Sequence, residues 1–367
     1  MRSEQTAYLE RLDHLRLLAA ALVVCFHAFH RQVGDLKPDN PVLSLIDEGH
    51  TGIGLFMVIS GFIFTVISHG SAIDYAGFLR NRLVRIYPLY VFAVFLTLSL
   101  GTWNEHLNYG ALTWLEWLLP LRASTVSQNP HFVQLWTIWV ECQFYLMFPF
   151  LKAFADRHGT RYLVGWILLL IGLRTGIFVL YGSVRFIAYE SIFGRLDQFL
   201  IGMLAAYAFL QRPRLATHPL HLPLAVLAML TLLHWFNRQG GHTRLDAAWW
   251  IVWTTLEATA WAWVMLAWMG WRWRLPGRLE AWLAGLGAMS FSVYVMHNFV
   301  LSVIHKAWGL LPLSADPVRS AALNALLVAL PLALLAAWPT WRLIERPFLS
   351  LRGRYLRPVS ATKEPTA

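Results

Sequence analysis

Long apolar runs constrain this chain more than any other feature, because a helix needs about 20 mainly apolar residues to cross the hydrocarbon core of a bilayer. Ten such runs follow one another along the 367 residues. They cover residues 12–30, 51–69, 86–103, 132–151, 161–181, 190–210, 219–236, 247–270, 282–305 and 318–341. Within lipid the backbone must satisfy its own hydrogen bonds, as a helix does. The sequence therefore predicts an all-α integral membrane protein, a bundle of about ten transmembrane helices.

Composition supports this class of protein and narrows it. Only 14% of the residues are charged, whereas about 25% is usual in a soluble globular protein. The first ten residues contain no small-residue cleavage site, so the first apolar run is expected to remain as a helix. The two cysteines, Cys25 and Cys142, lie inside apolar runs without the spacing of a metal or redox motif. Neither a disulfide framework nor a metal site is predicted.

The distribution of Lys and Arg predicts the orientation, because short cytoplasmic loops are enriched in them. With the N-terminus inside, the inner segments hold 19 of these residues and the outer segments hold 7. Both termini are therefore expected in the cytoplasm. Residues 1–350 would form a single transmembrane domain, followed by a short polar tail at 351–367. The net charge of +10 then reflects topology and attraction to anionic lipids, and no nucleic-acid partner is expected.

Ionisable residues inside the spans are the first candidates for function, because each is costly in lipid and usually lines a cavity or has a partner. On the first helix, Arg16 and His27 are eleven residues apart. They share a helical face at depths that differ by about 16 Å. Asp13, one turn before Arg16, is placed to pair with it. The alternatives to a functional role are that the Arg16 side chain extends to the membrane interface and that His27 is structural.

The third span begins with two arginines on one helical face. Arg82 and Arg85 are one turn apart in "RNRLVRIYPLY", followed by Tyr87 and a proline. Two guanidinium groups in this arrangement suit the phosphates of a nucleotide-bearing ligand, because arginine can bind phosphate through two donors. The alternative is ordinary enrichment of basic residues on the cytoplasmic side.

Three other spans carry buried polar residues. Glu141 lies near the middle of the fourth span, where a carboxylate would handle protons, grip a substrate or form an ion pair. In the sixth span Arg195 and Asp197 are two residues apart and point away from each other, so each needs another partner, with Glu141 one match for Arg195. In the ninth span Tyr294 and His297 are one turn apart.

Seven stretches in a fixed order carry a family resemblance over nearly the whole chain. They are "RLDHLRLLAAALVVCFH" (11–27), "GIGLFMVISGFIF" (52–64), "RNRLVRIYPLY" (80–90), "LWTIWVECQFYLMFPFL" (135–151), "FGRLDQFLIGMLAA" (193–206), "SFSVYVMHN" (290–298) and "LIERPF" (343–348). Together they resemble the acyltransferase-3 family of bacterial integral membrane acyltransferases. The chain departs from the family pattern at Gly54, where an aspartate is common, and at Cys142, where a second acid is common. It also has His14 and Leu17 where glycines are usual.

The resemblance implies an O-acyltransferase of the bacterial inner membrane, without a fused esterase-like domain. Such an enzyme moves an acyl group, most often acetyl, from cytoplasmic acyl-CoA to a hydroxyl of a glycan on the periplasmic side. The acceptor would be an exopolysaccharide, an O-antigen or a lipid-linked sugar. No permanent cofactor is implied, since acetyl-CoA is the donor substrate.

The resemblance also suggests roles for individual residues. His27 would be the general base and Glu141 would orient it or stabilise its imidazolium. The donor side is assigned to Arg16, Arg82, Arg85 and Tyr87. The acceptor side is assigned to Arg195, Asp197, Tyr294 and His297.

Several alternatives stay open. An acyl-histidine intermediate could replace direct transfer. A permease or flippase for the donor or for a glycan precursor would carry similar buried charges, and an accessory subunit that positions a partner enzyme is less favoured. The sequence leaves open whether copies of the chain form a homo-oligomer.

Overall fold

The computed structural model describes residues 10–34, 38–104, 110, 117–118, 133–212, 217–272, 275–307, 309 and 311–358. Helices dominate this part of the chain. The first seven are α1 (Glu10–Val33), α2 (Pro41–Asp47), α3 (Gly52–Ile67), α4 (Tyr75–Asn104), α5 (Trp136–His158), α6 (Arg161–Tyr181) and α7 (Arg185–Glu190). The others are α8 (Ile192–Gln211), α9 (His221–Arg238), α10 (Trp250–Gly270), α11 (Gly277–Ala288), α12 (Ser290–Ala307), α13 (Pro317–Asn324), α14 (Leu330–Thr340) and α15 (Arg346–Leu349).

Shorter elements connect these helices. The 3-10 turns are Gly49–Thr51, Val133–Leu135 and Gly241–Thr243. Two π-helical segments, Ala325–Ala329 and Trp341–Glu345, join α13, α14 and α15. The described strands are β1 (Ser71–Ile73) and β2 (Leu356–Pro358).

Membrane-spanning helices make up much of the bundle. Six segments of the described residues are long and apolar enough to cross a bilayer, namely Glu10–Val33, Gly49–Ile67, Tyr75–Ser99, Arg161–Tyr181, Ile192–Gln211 and Pro317–Leu349. Helices α5, α9 and α10 cover three further predicted spans but fall outside this set. The protein is therefore an all-α, multi-pass membrane protein. Six or seven spans, not ten, meet these criteria in the described part of the chain.

The predicted span at 282–305 is divided into two helices. Helices α11 and α12 meet at Met289 and are bent by 63° relative to each other. Counted together they form the seventh span. The apolar run is continuous through this bend, so hydropathy alone does not reveal it.

The contact between α3 and α8 forms the centre of the bundle. A Cβ atom on Gly61 would lie 2.0 Å from the carbonyl oxygen of Phe199. A Cβ atom on Gly202 would lie 2.1 Å from the carbonyl oxygen of Val58. The two backbones therefore touch through glycines, which is how membrane helices approach most closely. This contact holds the polar residues of both helices at fixed positions.

The chain after α15 returns to the bundle. Strand β2 pairs antiparallel with β1. The Asn81 side chain of α4 accepts from the Gly353 N–H at 3.0 Å and donates to its carbonyl oxygen at 2.7 Å. Residues 351–358 are thus folded against α4, although the sequence assigned them to a polar tail. A three-residue strand has too short a pattern to be predicted from periodicity.

Candidate active site

A cavity lies among α1, α3, α4, α5, α8 and α12. We call it the central cavity. Five residues that the sequence singled out line it, namely Arg16, Arg82, Arg85, Glu141 and Tyr294. Most of the remaining wall is apolar. A mostly apolar lining with a few fixed polar groups suits an organic ligand.

The arginines of this cavity differ in how they are held. Arg16 pairs with Asp13 at 2.5 Å, which confirms the predicted contact on α1. The Arg82 guanidinium lies over the ring of Phe64, 4.7 Å from its centroid. The Nε of Arg82 is buried and has no hydrogen-bond partner among the described residues. Arg82 therefore keeps donor capacity for a ligand.

Arg352, from the segment after α15, joins these arginines. Its Nε and Nη2 atoms are buried and have no hydrogen-bond partner in the part of the chain that the structure describes. Burial, followed by the charges of Arg85 and Arg82, lowers the pKa of Arg352 to about 9. We call Arg16, Arg82, Arg85 and Arg352 the arginine cluster. An anion bound at the arginine cluster would accept hydrogen bonds from the unpartnered donors and reduce the repulsion among the guanidinium groups.

Arg352 was not among the site residues predicted from the sequence. It lies in a basic segment that the sequence assigned to a cytoplasmic tail, so its charge was explained by topology. Only the return of residues 351–358 to α4 brings it next to Arg82 and Arg85. No local pattern identifies it.

Glu141 lies on the cavity wall between two hydroxyl groups. Its Oε1 accepts hydrogen bonds from Ser60, at 3.4 Å, and from Tyr145 one turn later on α5. These partners differ from the expected ones, because neither His27 nor Arg195 is bonded to this carboxylate among the described contacts. Glu141 and Tyr145 are four residues apart on one helix, where side chains meet, whereas Ser60 comes from another helix.

Tyr294 connects the cavity to the two histidines. Its hydroxyl bonds to the Thr137 hydroxyl at 2.7 Å and donates to the Gln134 carbonyl at 2.8 Å. One turn later, His297 is fully buried, and its Nδ1 lies 2.6 Å from the Tyr294 carbonyl oxygen. A carbonyl oxygen can only accept, so Nδ1 carries the proton and Nε2 has a lone pair. That Nε2 has no hydrogen-bond partner among the described residues.

His27 packs on this second histidine. The two ring centroids lie 5.1 Å apart, with 33° between the ring planes. None of the described residues forms a hydrogen bond with the His27 ring. His27 does not line the central cavity itself. It lies next to His297, which follows the cavity residue Tyr294 on α12.

Arg195 and Asp197 belong to a separate, closed network, defined here as Arg174, Arg195, Asp197, Gln198 and Glu257. Asp197 pairs with Arg174 at 2.8 Å, and both side chains are fully buried. Arg195 lies 3.5 Å from Glu257, whose carboxylate also accepts from Gln198 at 2.6 Å. Arg195 and Asp197 thus have separate partners, as predicted. The partner of Arg195 is Glu257, so the proposed match with Glu141 is wrong.

The Glu257 carboxylate also lies next to Gly54, one of the positions where the sequence departs from the expected family pattern. A Cβ atom on Gly54 would lie 2.9 Å from Oε2 of Glu257 and 3.0 Å from Nε2 of Gln198. The space next to position 54 is therefore filled by a carboxylate from α10.

Of the four residues predicted to bind the acyl donor, Tyr87 does not line the central cavity. Its hydroxyl donates to the Leu118 carbonyl at 3.3 Å, and it is not part of the cavity wall. Its neighbour Tyr90 donates to the Trp117 carbonyl at 2.6 Å. The two tyrosines of α4 therefore hold the segment at 117–118 against the bundle.

Comparison with known proteins gives one match. A family model described as an acyltransferase domain matches residues 9–342 of the 367. The matched range includes every residue that lines the central cavity, whereas Arg352 lies beyond it. No curated protein and no solved structure matches this chain.

Proposed function

Because the chain belongs to the acyltransferase family whose model matches residues 9–342, we propose that it transfers an acyl group from acyl-CoA to a hydroxyl of a cell-surface glycan. Acetyl-CoA is the proposed donor. An exopolysaccharide, an O-antigen or a lipid-linked sugar is the proposed acceptor, on the periplasmic side of a bacterial inner membrane. The observation that carries this proposal is a central cavity with an arginine cluster and with Tyr294, whose neighbour His297 packs against His27.

The arginine cluster supports a phosphate-bearing donor. Coenzyme A carries several phosphate groups, and arginine binds phosphate through two parallel hydrogen bonds. The unpartnered donors of Arg82 and Arg352 would supply such bonds. The apolar wall between this cluster and Tyr294 would then take the pantetheine arm and bring the thioester towards α12.

His27 is the proposed general base. It removes the proton of the acceptor hydroxyl while that oxygen attacks the carbonyl carbon of the thioester. The tetrahedral intermediate collapses with cleavage of the C–S bond. Coenzyme A leaves as a thiolate and takes the proton back from His27. The product is an O-acyl ester, and His27 returns to its neutral form.

His297 is the proposed positioning residue for His27, in place of Glu141. Its Nε2 lone pair is fixed by the hydrogen bond that Nδ1 makes to Tyr294. It could accept an N–H from the neighbouring His27 ring and select the tautomer in which the other nitrogen is basic. Glu141, held by Ser60 and Tyr145, would contact the donor from the cavity wall.

Reconstituted protein tests this proposal directly. Proteoliposomes receive acetyl-CoA labelled in the acetyl group together with a candidate surface glycan, and label in the glycan is measured. We expect transfer by the wild type and a loss of about 10²–10⁴-fold in His27→Ala, the range expected for a general base. His305→Ala, near the end of α12, is the matched control and should transfer normally.

Two outcomes would contradict this proposal. Full transfer by His27→Ala would remove that residue from the chemistry. Movement of the labelled donor across the membrane with no label in any glycan would favour a permease.

A further inference from the structure

A second polar cluster lies away from the central cavity and has no role in the proposed transfer. It contains Glu48, His50 and His242. Glu48 follows α2, His50 lies in the 3-10 turn before α3, and His242 lies in the turn between α9 and α10. Glu48 and His50 are buried, and His242 is mostly buried. Glu48 and His242, which are 194 residues apart in sequence, therefore meet at this point.

The donor atoms of this cluster are spaced like the ligands of one ion. Oε2 of Glu48 lies 3.0 Å from Nε2 of His50 and 3.2 Å from Nδ1 of His242. All three atoms lie within 4.8 Å of one another. Around a tetrahedral Zn²⁺ with bonds of about 2.0–2.1 Å, ligand atoms are separated by roughly 3.3 Å. A central ion would therefore need only small movements of these side chains.

Neighbouring residues hold the carboxylate and the rings in place. Nδ2 of Asn237, a buried side chain on α9, donates to Oε1 of Glu48 at 2.8 Å and leaves Oε2 towards the histidines. The Phe26 ring lies 5.3 Å from the His50 ring and 5.2 Å from the His242 ring. Such outer contacts orient metal ligands and raise their affinity.

Glycine at position 241 makes this approach feasible. Gly241 has a φ of +58°, and a Cβ atom there would lie 1.9 Å from Oε1 of Glu48. A side chain at this position would push His242 and its loop away from the carboxylate. The left-handed glycine thus lets the loop before α10 close over Glu48.

We propose that Glu48, His50 and His242 bind a divalent transition-metal ion, with Zn²⁺ as the best match. Two imidazoles and one carboxylate suit zinc, whereas Mg²⁺ and Ca²⁺ prefer sites made of oxygen ligands. The three protein ligands leave a fourth position open. The His30 ring of α1 lies nearby, 4.9 Å from the His242 ring between centroids, with its Nε2 bonded to the Asp47 carbonyl oxygen at 2.9 Å.

The proposed ion ties α2, α3 and the loop before α10 together. It binds beside Phe26, the residue that precedes His27 on α1. Because it would bind the folded chain only, it should stabilise the protein increasingly as its free concentration rises. His50 keeps an unpartnered Nδ1 among the described residues, and loss of such an outer partner costs about 10–100-fold in affinity. We therefore expect a reversible site that chelators empty.

The sequence predicted no metal site, because no two of these ligands form a known metal-binding spacing. Glu48 and His50 are two residues apart, and His242 follows far along the chain. Their convergence depends on how α2 packs against α9, where Asn237 donates to both Asp47 and Glu48.

Metal binding to the purified full-length chain tests this proposal. Protein without a polyhistidine tag is stripped with a chelator, titrated with ZnCl₂, passed through a desalting column and analysed for zinc by mass spectrometry. We expect one zinc per chain, and a higher thermal unfolding temperature with zinc than without. Co²⁺ should give the strong visible absorption of a tetrahedral site. Zinc content does not depend on acyl transfer. The metal site can therefore be confirmed even if the protein transfers no acyl group.

Matched variants separate this site from adventitious binding. Glu48→Gln and His242→Ala should each retain much less zinc than the wild type, because each removes one of the three ligands. His234→Ala, which changes a histidine on α9 bonded to Ser44, should retain all of it. His242 lies in a short turn, so its variant should still elute as a monodisperse peak. Equal zinc in wild type and both variants, or no zinc in a folded wild type, would overturn the proposal.

Discussion

The arginine cluster and the closed network both consist of charged residues within the bundle, but these residues have different surroundings in the two groups. In the closed network Arg174, Asp197, Arg195 and Glu257 form two ion pairs with buried side chains, and two threonine hydroxyls also donate to Oδ2 of Asp197. Both groups contain buried polar atoms without a hydrogen-bond partner among the described residues, but three guanidinium groups of the arginine cluster line a cavity.

The contrast shows that position inside a membrane does not by itself mark a ligand site. A buried charge can be retained because it holds helices together through a set of partners. A charge with unmet bonding capacity next to open space is the better candidate for ligand binding. By this criterion Arg195 and Asp197, which are ion-paired and away from the cavity, hold the bundle together. Arg82 lines the cavity and is placed to bind an anion, with Arg352 near it.

Removing a carboxylate from the closed network should have the largest effect. Asp197→Ala leaves the Arg174 guanidinium buried without its ion-pair partner, which costs about 3–5 kcal/mol. We expect little folded protein, measured as the monodisperse fraction after detergent extraction. Asp246→Ala, which removes an exposed partner of Arg244, is the control and should extract like the wild type. A well-folded Asp197→Ala protein would show that the network is not structural.

Removing an arginine from the cluster should spare the fold and weaken donor binding. Arg82→Ala loses charge-assisted hydrogen bonds worth about 1.5–3 kcal/mol, or roughly 10–150-fold in affinity. The Kd for acetyl-CoA, measured by calorimetry in detergent, should rise by this factor while the unfolding temperature stays close to that of the wild type. Arg80→Ala, an exposed residue on the same helix, should bind the donor normally. An unchanged Kd in Arg82→Ala would exclude it from donor binding.

An aspartate at position 54 tests whether a carboxylate on α3 can replace that of Glu257 on α10. Gly54→Asp alone brings a second carboxylate against Glu257, and overpacking of this kind typically costs about 1–3 kcal/mol. In Gly54→Asp combined with Glu257→Ala, the introduced aspartate would replace the lost partner of Arg195, so the unfolding temperature should recover. A double variant less stable than both single variants would show that the two carboxylates are not interchangeable.

Removing one hydroxyl from the cavity wall should have the smallest effect. Tyr145→Phe deletes one hydrogen bond to Glu141, worth about 1 kcal/mol, while the Ser60 contact remains. We expect a decrease of about fivefold in transfer rate. Glu141→Gln should lower the rate further, because it also removes the charge. A Tyr145→Phe rate below that of Glu141→Gln would assign the direct role to the tyrosine.

Much of the fold and part of the site could be predicted from local patterns. Apolar runs predicted a helical membrane protein, and helical spacing predicted the Arg16–Asp13 pair and the separate partners of Arg195 and Asp197. Motif order identified the family. These features depend on residues a few positions apart, where helix geometry determines which side chains meet.

Contacts between distant segments were decided only by the tertiary structure. Ser60 with Glu141, Glu257 with Arg195, and His242 with Glu48 each join different elements of the bundle. Arg352 joins the arginine cluster only because β2 pairs with β1. The sequence by itself determined which charges lie within the helices and on which face. Packing of the helices determined which of those charges are neutralised and which remain open to a ligand, because that depends on side chains brought together from far along the chain.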